Sequence, residues 1–177
     1  RARSSFGGGE EEVEAELRCA CALYADAFVT AAAETSALDL HGLVWDEEAC
    51  ATSVQALSSF SSLKRLNVSG GTLAYEPGAA LAIALTACPR LETLLASGCL
   101  LGNGGAVSLA DGLAGASSLT KLHLDGCALR DPGLEELLGA LRGRGLMELS
   151  LRDNSIMMDG CVALTEFVKA TPRSLTA

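Results

Sequence analysis

Four segments of this chain, starting at Leu63, Leu91, Leu119 and Leu146, align with one another at spacings of 28, 28 and 27 residues. A period of that length constrains the fold more than any local propensity, because it belongs to stacked repeat architectures. Each segment has apolar residues at its first, fourth and sixth positions: Leu63, Leu66 and Val68; Leu91, Leu94 and Ala96; Leu119, Leu122 and Leu124; Leu146, Leu149 and Leu151. The eleventh position is Leu73, Leu101, Leu129 and Ile156, and the nineteenth is Leu81, Leu109, Leu137 and Leu164. The twenty-third is Leu85, Leu113 and Leu141, with Phe167 taking this role in the last unit. An earlier, weaker unit starts at Thr35, keeping Leu38, Leu40, Trp45 and Leu57; its nineteenth position is Ser53, so Val54 is expected to point inward instead.

The spacing has a direct physical reading. Positions four and six alternate, as a short strand with one buried face requires. Positions nineteen and twenty-three lie four apart, as a helix with one buried stripe requires. One strand and one helix cannot bury both faces alone, but stacked copies make a continuous core. Position nine holds Cys99, Cys127 and Asn154, where the chain leaves the strand and its backbone groups need partners. A small polar side chain can cap them in every layer, except that Gly71 and Leu43 break the pattern in the first two units. Position fifteen holds Gly105, Gly133 and Gly160, with Pro77 in the second unit, as befits a helix entrance.

These residues resemble the leucine-rich-repeat consensus LxxLxLxxN/CxL in its long, helix-containing, ribonuclease-inhibitor-like form. Residues 119–129 and 146–156 match it almost position by position, and the resemblance covers about residues 35–170. It implies an α/β solenoid, a horseshoe arc with a parallel concave sheet and convex helices. The expected organisation is an extended or disordered segment over 1–9, an N-terminal capping helix over 10–34, and a leucine-rich-repeat domain over 35–177 with five repeats and the start of a sixth. Leu17, Cys21, Tyr24 and Phe28 follow helical spacing in the capping segment, and Glu10, Glu11, Glu12, Glu14 and Glu16 complement the dipole of its first turns. A degenerate helix from an earlier repeat explains the same pattern. At the other end, residues 174–177 echo residues 118–121 and read as the opening of a sixth strand. An open solenoid end exposes a strand edge, so either the chain continues or a partner covers it.

Composition narrows the function classes. Hydrophobic residues make up 49% of the 177 but aromatics only 4%, so the core must be layers of Leu, Ala and Val. The net charge is −9 and the 13 Lys and Arg are scattered, which argues against nucleic acid and against an anionic membrane surface. The uncharged stretch from Thr93 to Ala110 is rich in Gly and Ser and fits the repeat register, so it is not read as membrane-spanning. Seven cysteines with no CxxC pair read as reduced thiols, which points to an intracellular compartment, cytoplasmic or organellar. The Arg- and Ser-rich, acid-free residues 1–6 fit a mitochondrial-type presequence remnant or an arbitrary start equally.

No constellation for chemistry stands out, so neither catalysis, a cofactor nor a metal is expected. His41 and His123 fall on strands three units apart, about 14 Å from each other at a strand spacing of about 4.8 Å. Gly102-Asn103-Gly104-Gly105 lacks the lysine and hydroxyl residue of a phosphate-binding loop. The pairs Glu47-Glu48 and Glu135-Glu136 are adjacent on helices and diverge. The solvent-facing strand positions instead form columns across the concave face. Position three is Ala37, Arg65, Thr93, Lys121 and Glu148; position five is Asp39, Asn67, Leu95, His123 and Ser150; position seven is His41, Ser69, Ser97, Asp125 and Arg152. Position two adds Ser36, Lys64, Glu92, Thr120 and Met147. The expected protein-binding set is Arg65, Asn67, Glu92, Leu95, Lys121, His123, Asp125, Met147, Glu148 and Arg152, with Leu95 and Met147 as exposed apolar anchors. The predicted function is a non-catalytic protein-interaction scaffold or accessory subunit. The alternative is a regulatory domain similar to those of Ran-type GTPase activators or nucleotide-binding immune receptors. Helices and open ends are rival binding faces to the concave sheet.

Overall fold

Short strands stand where the period-two alternation falls, and helices where the four-residue spacing falls. The computed structural model describes residues 30–42, 44–45, 57, 59–73, 77–113 and 115–171. The expectations for residues 1–29, for Val54 and for a sixth strand lie outside these residues. In chain order the strands are β1 (Ala37–Asp39), β2 (Val44–Trp45), β3 (Arg65–Asn67), β4 (Thr72–Leu73), β5 (Thr93–Leu95), β6 (Lys121–His123) and β7 (Glu148–Ser150). The helices are α1 (Pro77–Ala87), α2 (Gly102–Leu113), α3 (Asp131–Leu141) and α4 (Met158–Ala170), with residues 30–34 also helical.

One parallel sheet runs β1-β3-β5-β6-β7. Its register pairs equal repeat positions: Leu38 with Leu66, Leu66 with Leu94, Leu94 with Leu122, and Leu122 with Leu149. A second ladder, not foreseen from the sequence, pairs β2 with β4 in parallel and matches Trp45 to Leu73, the eleventh positions. Between sheet and helices lies a single apolar layer. Leu63, Leu66, Leu91, Leu94, Leu109, Leu122, Leu124 and Leu129 are completely buried within it. Each such leucine contributes about 1.5–3 kcal/mol relative to exposure. In α4 a strict count would place Val168 at position twenty-three, but Val168 is 57% exposed and Phe167 is buried in its place.

Position nine does cap the turn. The Cys99 thiol donates to the Val68 carbonyl at 3.3 Å and the Cys127 thiol to the Ala96 carbonyl at 3.1 Å, both in the preceding layer. Asn154 Nδ2 donates to Leu124 O at 2.8 Å, while its Oδ1 accepts from Cys127 N and Leu129 N at 3.0 Å each. The residue just before this one is left-handed in every unit: Gly42, Gly70, Gly98, Gly126 and Asp153, with φ of 72, 67, 75, 61 and 55°. Glycine suits that conformation because it has no Cβ. The position-fifteen glycines have a reason beyond helix entry. A Cβ on Gly133 would lie 2.8 Å from Asn103 Oδ1 and 3.1 Å from Ala106 Cβ, so close helix packing requires its absence.

Candidate functional site

The register that aligns the core leucines also aligns the outward side chains. Ala37, Arg65, Thr93, Lys121 and Glu148 form one row; Asp39, Asn67, Leu95, His123 and Ser150 form another. The row of His41, Ser69, Ser97, Asp125 and Arg152 is held by backbone bonds, each position-eight N–H donating to the next position-seven carbonyl at 2.7–2.9 Å.

The rows are tied by side-chain hydrogen bonds. Asp39 Oδ1 accepts from Asn67 Nδ2 and from His41 N, both at 3.0 Å, and Asn67 Oδ1 accepts from Ser69 N at 3.1 Å. Further along, Asp125 is a hub. Its Oδ1 accepts from Ser150 Oγ at 2.6 Å and Arg152 N at 2.7 Å, and its Oδ2 accepts from Ser97 Oγ at 3.5 Å. Beside it, Glu148 bridges two bases: Oε2 lies 2.7 Å from Lys121 Nζ and Oε1 lies 2.8 Å from His123 Nε2. The hydrogen bond from Lys121, then that from His123, holds the Glu148 carboxyl below its ordinary range. An ionised Glu148 accepts only, so His123 carries a proton on Nε2. A Lys64–Glu92 pair at 2.9 Å is well exposed on both sides and adds little.

The structure therefore gathers His123, Asp125, Glu148 and Arg152, with Ser150, around one concavity whose edge is Leu149 and Leu151. Lys121 adjoins it through Glu148. Arg65, Asn67 and Glu92 lie in the N-terminal half of the face. Met147 is 50% exposed. Two expectations need correction. Leu95 is half-buried, not an exposed anchor, because Asn67 and His123 flank it in its row. Thr93 is 8% exposed, not solvent-facing, between Arg65 and Lys121. Position five gave no hint of the Ser150 hydroxyl's role, since only the neighbouring unit supplies its acceptor. The recurrent glycine at position eight was a legible signal for the turn that ends each row.

The arrangement is one of satisfied acceptors. Asp125 and Glu148 spend their lone pairs on their own chain. Burial pushes the Cys99 thiol up to about 12, and Cys88 and Cys127 upward as well, so these thiols are protonated and poor nucleophiles. Among the described residues no three His, Cys, Asp or Glu side chains converge on a metal position, and no helix is long and apolar enough to cross a membrane.

No protein-family model and no curated protein sequence matches this chain. Among solved structures it is similar to a tropomodulin C-terminal domain from Caenorhabditis elegans, with a TM-score of 0.62 at 9% identity, covering 82% of this chain and 91% of that one. That likeness is one of fold. With the parallel sheet and its repeating helices, it shows an α/β leucine-rich-repeat solenoid.

Proposed function

We propose that this chain is a non-catalytic protein-binding module, a scaffold or accessory subunit of a larger assembly, and that the C-terminal half of its concave sheet is the recognition surface. The observation that carries this reading is the ordering of that surface by its own hydrogen bonds, through Asp125 and Glu148, before any partner arrives. Pre-ordered side chains lose less conformational freedom on binding. The solvent-facing row residues include four bases (Lys64, Arg65, Lys121, Arg152) and four acids (Asp39, Glu92, Asp125, Glu148), a balance suited to a protein and not to a phosphate polymer. The repeats are assigned to the ribonuclease-inhibitor-like class on their length of about 28 residues and the full helix in each of the last four. Buried free thiols at Cys88, Cys99 and Cys127 support an intracellular setting.

The test is the native mass of the endogenous protein by size-exclusion chromatography, with mass spectrometry of what co-elutes. Elution in a stable complex, lost when Glu148 and Arg152 are both changed to Ala, is the expected result. A monodisperse monomer would overturn the subunit reading, and GTPase activation, the activity of the alternative reading, would then be assayed.

A further inference from the structure

We propose that the groove between α3 and α4, on the helical side, takes a lysine or arginine side chain from a basic segment of a partner protein. Its floor is apolar: Gly139 from α3 and Val162 and Ala163 from α4, over the buried Leu138. Val162 is 53% exposed, and a Cβ built on Gly139 would meet nothing within 4 Å, so the floor is open. Three carboxylates rim it, those of Glu135, Asp159 and Glu166, against one guanidinium. That guanidinium, from Arg142, reaches Glu166 at 3.9 Å. The chain's own arginine thus occupies one end of the groove. At the other end Glu135 and Asp159 have no cationic partner among the described residues. A long basic side chain matches both parts, its methylene stem on Val162 and Ala163 and its charged head at the two carboxylates. One repeat earlier the positions of Glu135 and Asp159 are held by Val107 and Pro132, so this rim belongs to this pair of helices and not to the repeat in general.

This site lies across the fold from the concave face and does not depend on it. The test is fluorescence anisotropy of a labelled octapeptide alternating arginine and glycine, titrated with the full chain at low ionic strength. The double variant Glu135→Gln/Asp159→Asn is expected to weaken binding about fivefold, on the scale of two exposed ion pairs. The double variant Asp111→Asn/Glu136→Gln removes the same charge outside the groove and is expected to change binding less than about twofold by long-range screening alone. Gly139→Leu fills the floor without changing charge, and is expected to weaken binding while raising helix propensity. Equal losses in the two double variants would show that the peptide follows net charge only. That result, or no binding by the parent chain, would overturn the proposal. If Gly139→Leu failed to fold, the two double variants would still decide.

Discussion

The two inner units, residues 91–145, and the last unit, residues 146–171, are written in nearly the same repeat yet are not equally buried. Leu122, Leu124, Leu129 and Leu134 are fully enclosed, because each layer is covered on both sides. Their counterparts Leu149, Leu151 and Ile156 are half-buried, and Cys161, the counterpart of Leu134, is exposed. The turns differ as well. The inner units cap theirs with a cysteine thiol and follow it with a left-handed Leu100 or Ala128. The last unit uses Asn154, and Ser155 has no positive φ. The repeat therefore specifies which face a residue presents, while the number of neighbouring layers sets how much energy that face yields.

The sharpest way to break this comparison is a matched pair of truncations. Leu122→Ala should cost about 2–5 kcal/mol, the range for a core leucine that leaves an unfilled cavity. Leu149→Ala, at the same repeat position, should cost less than about half of that, since its site is already partly open to water. Urea unfolding of both variants measures the difference. Equal costs would mean that layer coverage does not govern the energetics.

The turn residues give the next largest effect. Asn154 satisfies two backbone N–H groups and donates to three carbonyls. Asn154→Ala leaves buried donors unpaired, at about 1–3 kcal/mol. Cys127→Ala removes weaker thiol donors and should cost about 1 kcal/mol, so the order is expected to be Asn154 above Cys127. The reverse order would remove the distinction between the two kinds of turn.

Much of this was legible in the sequence, for a physical reason. A strand's side-chain period is exact, so once positions four and six were recognised, the rows at three, five and seven followed, and the register places them there. What was not legible depends on distances between units. Thr93 reads as exposed until the long side chains of Arg65 and Lys121 are set on either side of it. The joint hold of Lys121 and His123 on Glu148 needs a rotamer that no spacing encodes.

A smaller effect, of opposite sign, tests the left-handed residues. Leu100 has φ 44° and is 68% exposed, a conformation that costs a residue with a Cβ about 1–2 kcal/mol. Leu100→Gly should stabilise the fold by up to about 1 kcal/mol once the added freedom of the unfolded glycine is subtracted. Ser155→Gly, at the same position of the last unit, has no strain to relieve and should be neutral or destabilising. Thermal melting of the two variants distinguishes them, and a destabilised Leu100→Gly would mean that the exposed leucine makes contacts worth more than its strain.

The smallest effect concerns Glu148, a carboxyl whose ionisation the fold favours. Glu148 is held below its ordinary value of 4.5, first by the Lys121 hydrogen bond and then by that of His123. A group whose pKa is lower folded than unfolded stabilises the fold when ionised, so its contribution is complete above the unfolded value and fades as pH falls through the folded one. The stability difference between the parent chain and Glu148→Gln should therefore be constant at neutral pH, begin to shrink near pH 4.5 and level off below the folded value. Added salt should reduce the pH-dependent part, because the pair is exposed. A difference that stayed flat through this window would mean that Glu148 is no better held in the fold than in the open chain. The pre-ordering on which the recognition surface depends would then rest on Asp125 alone.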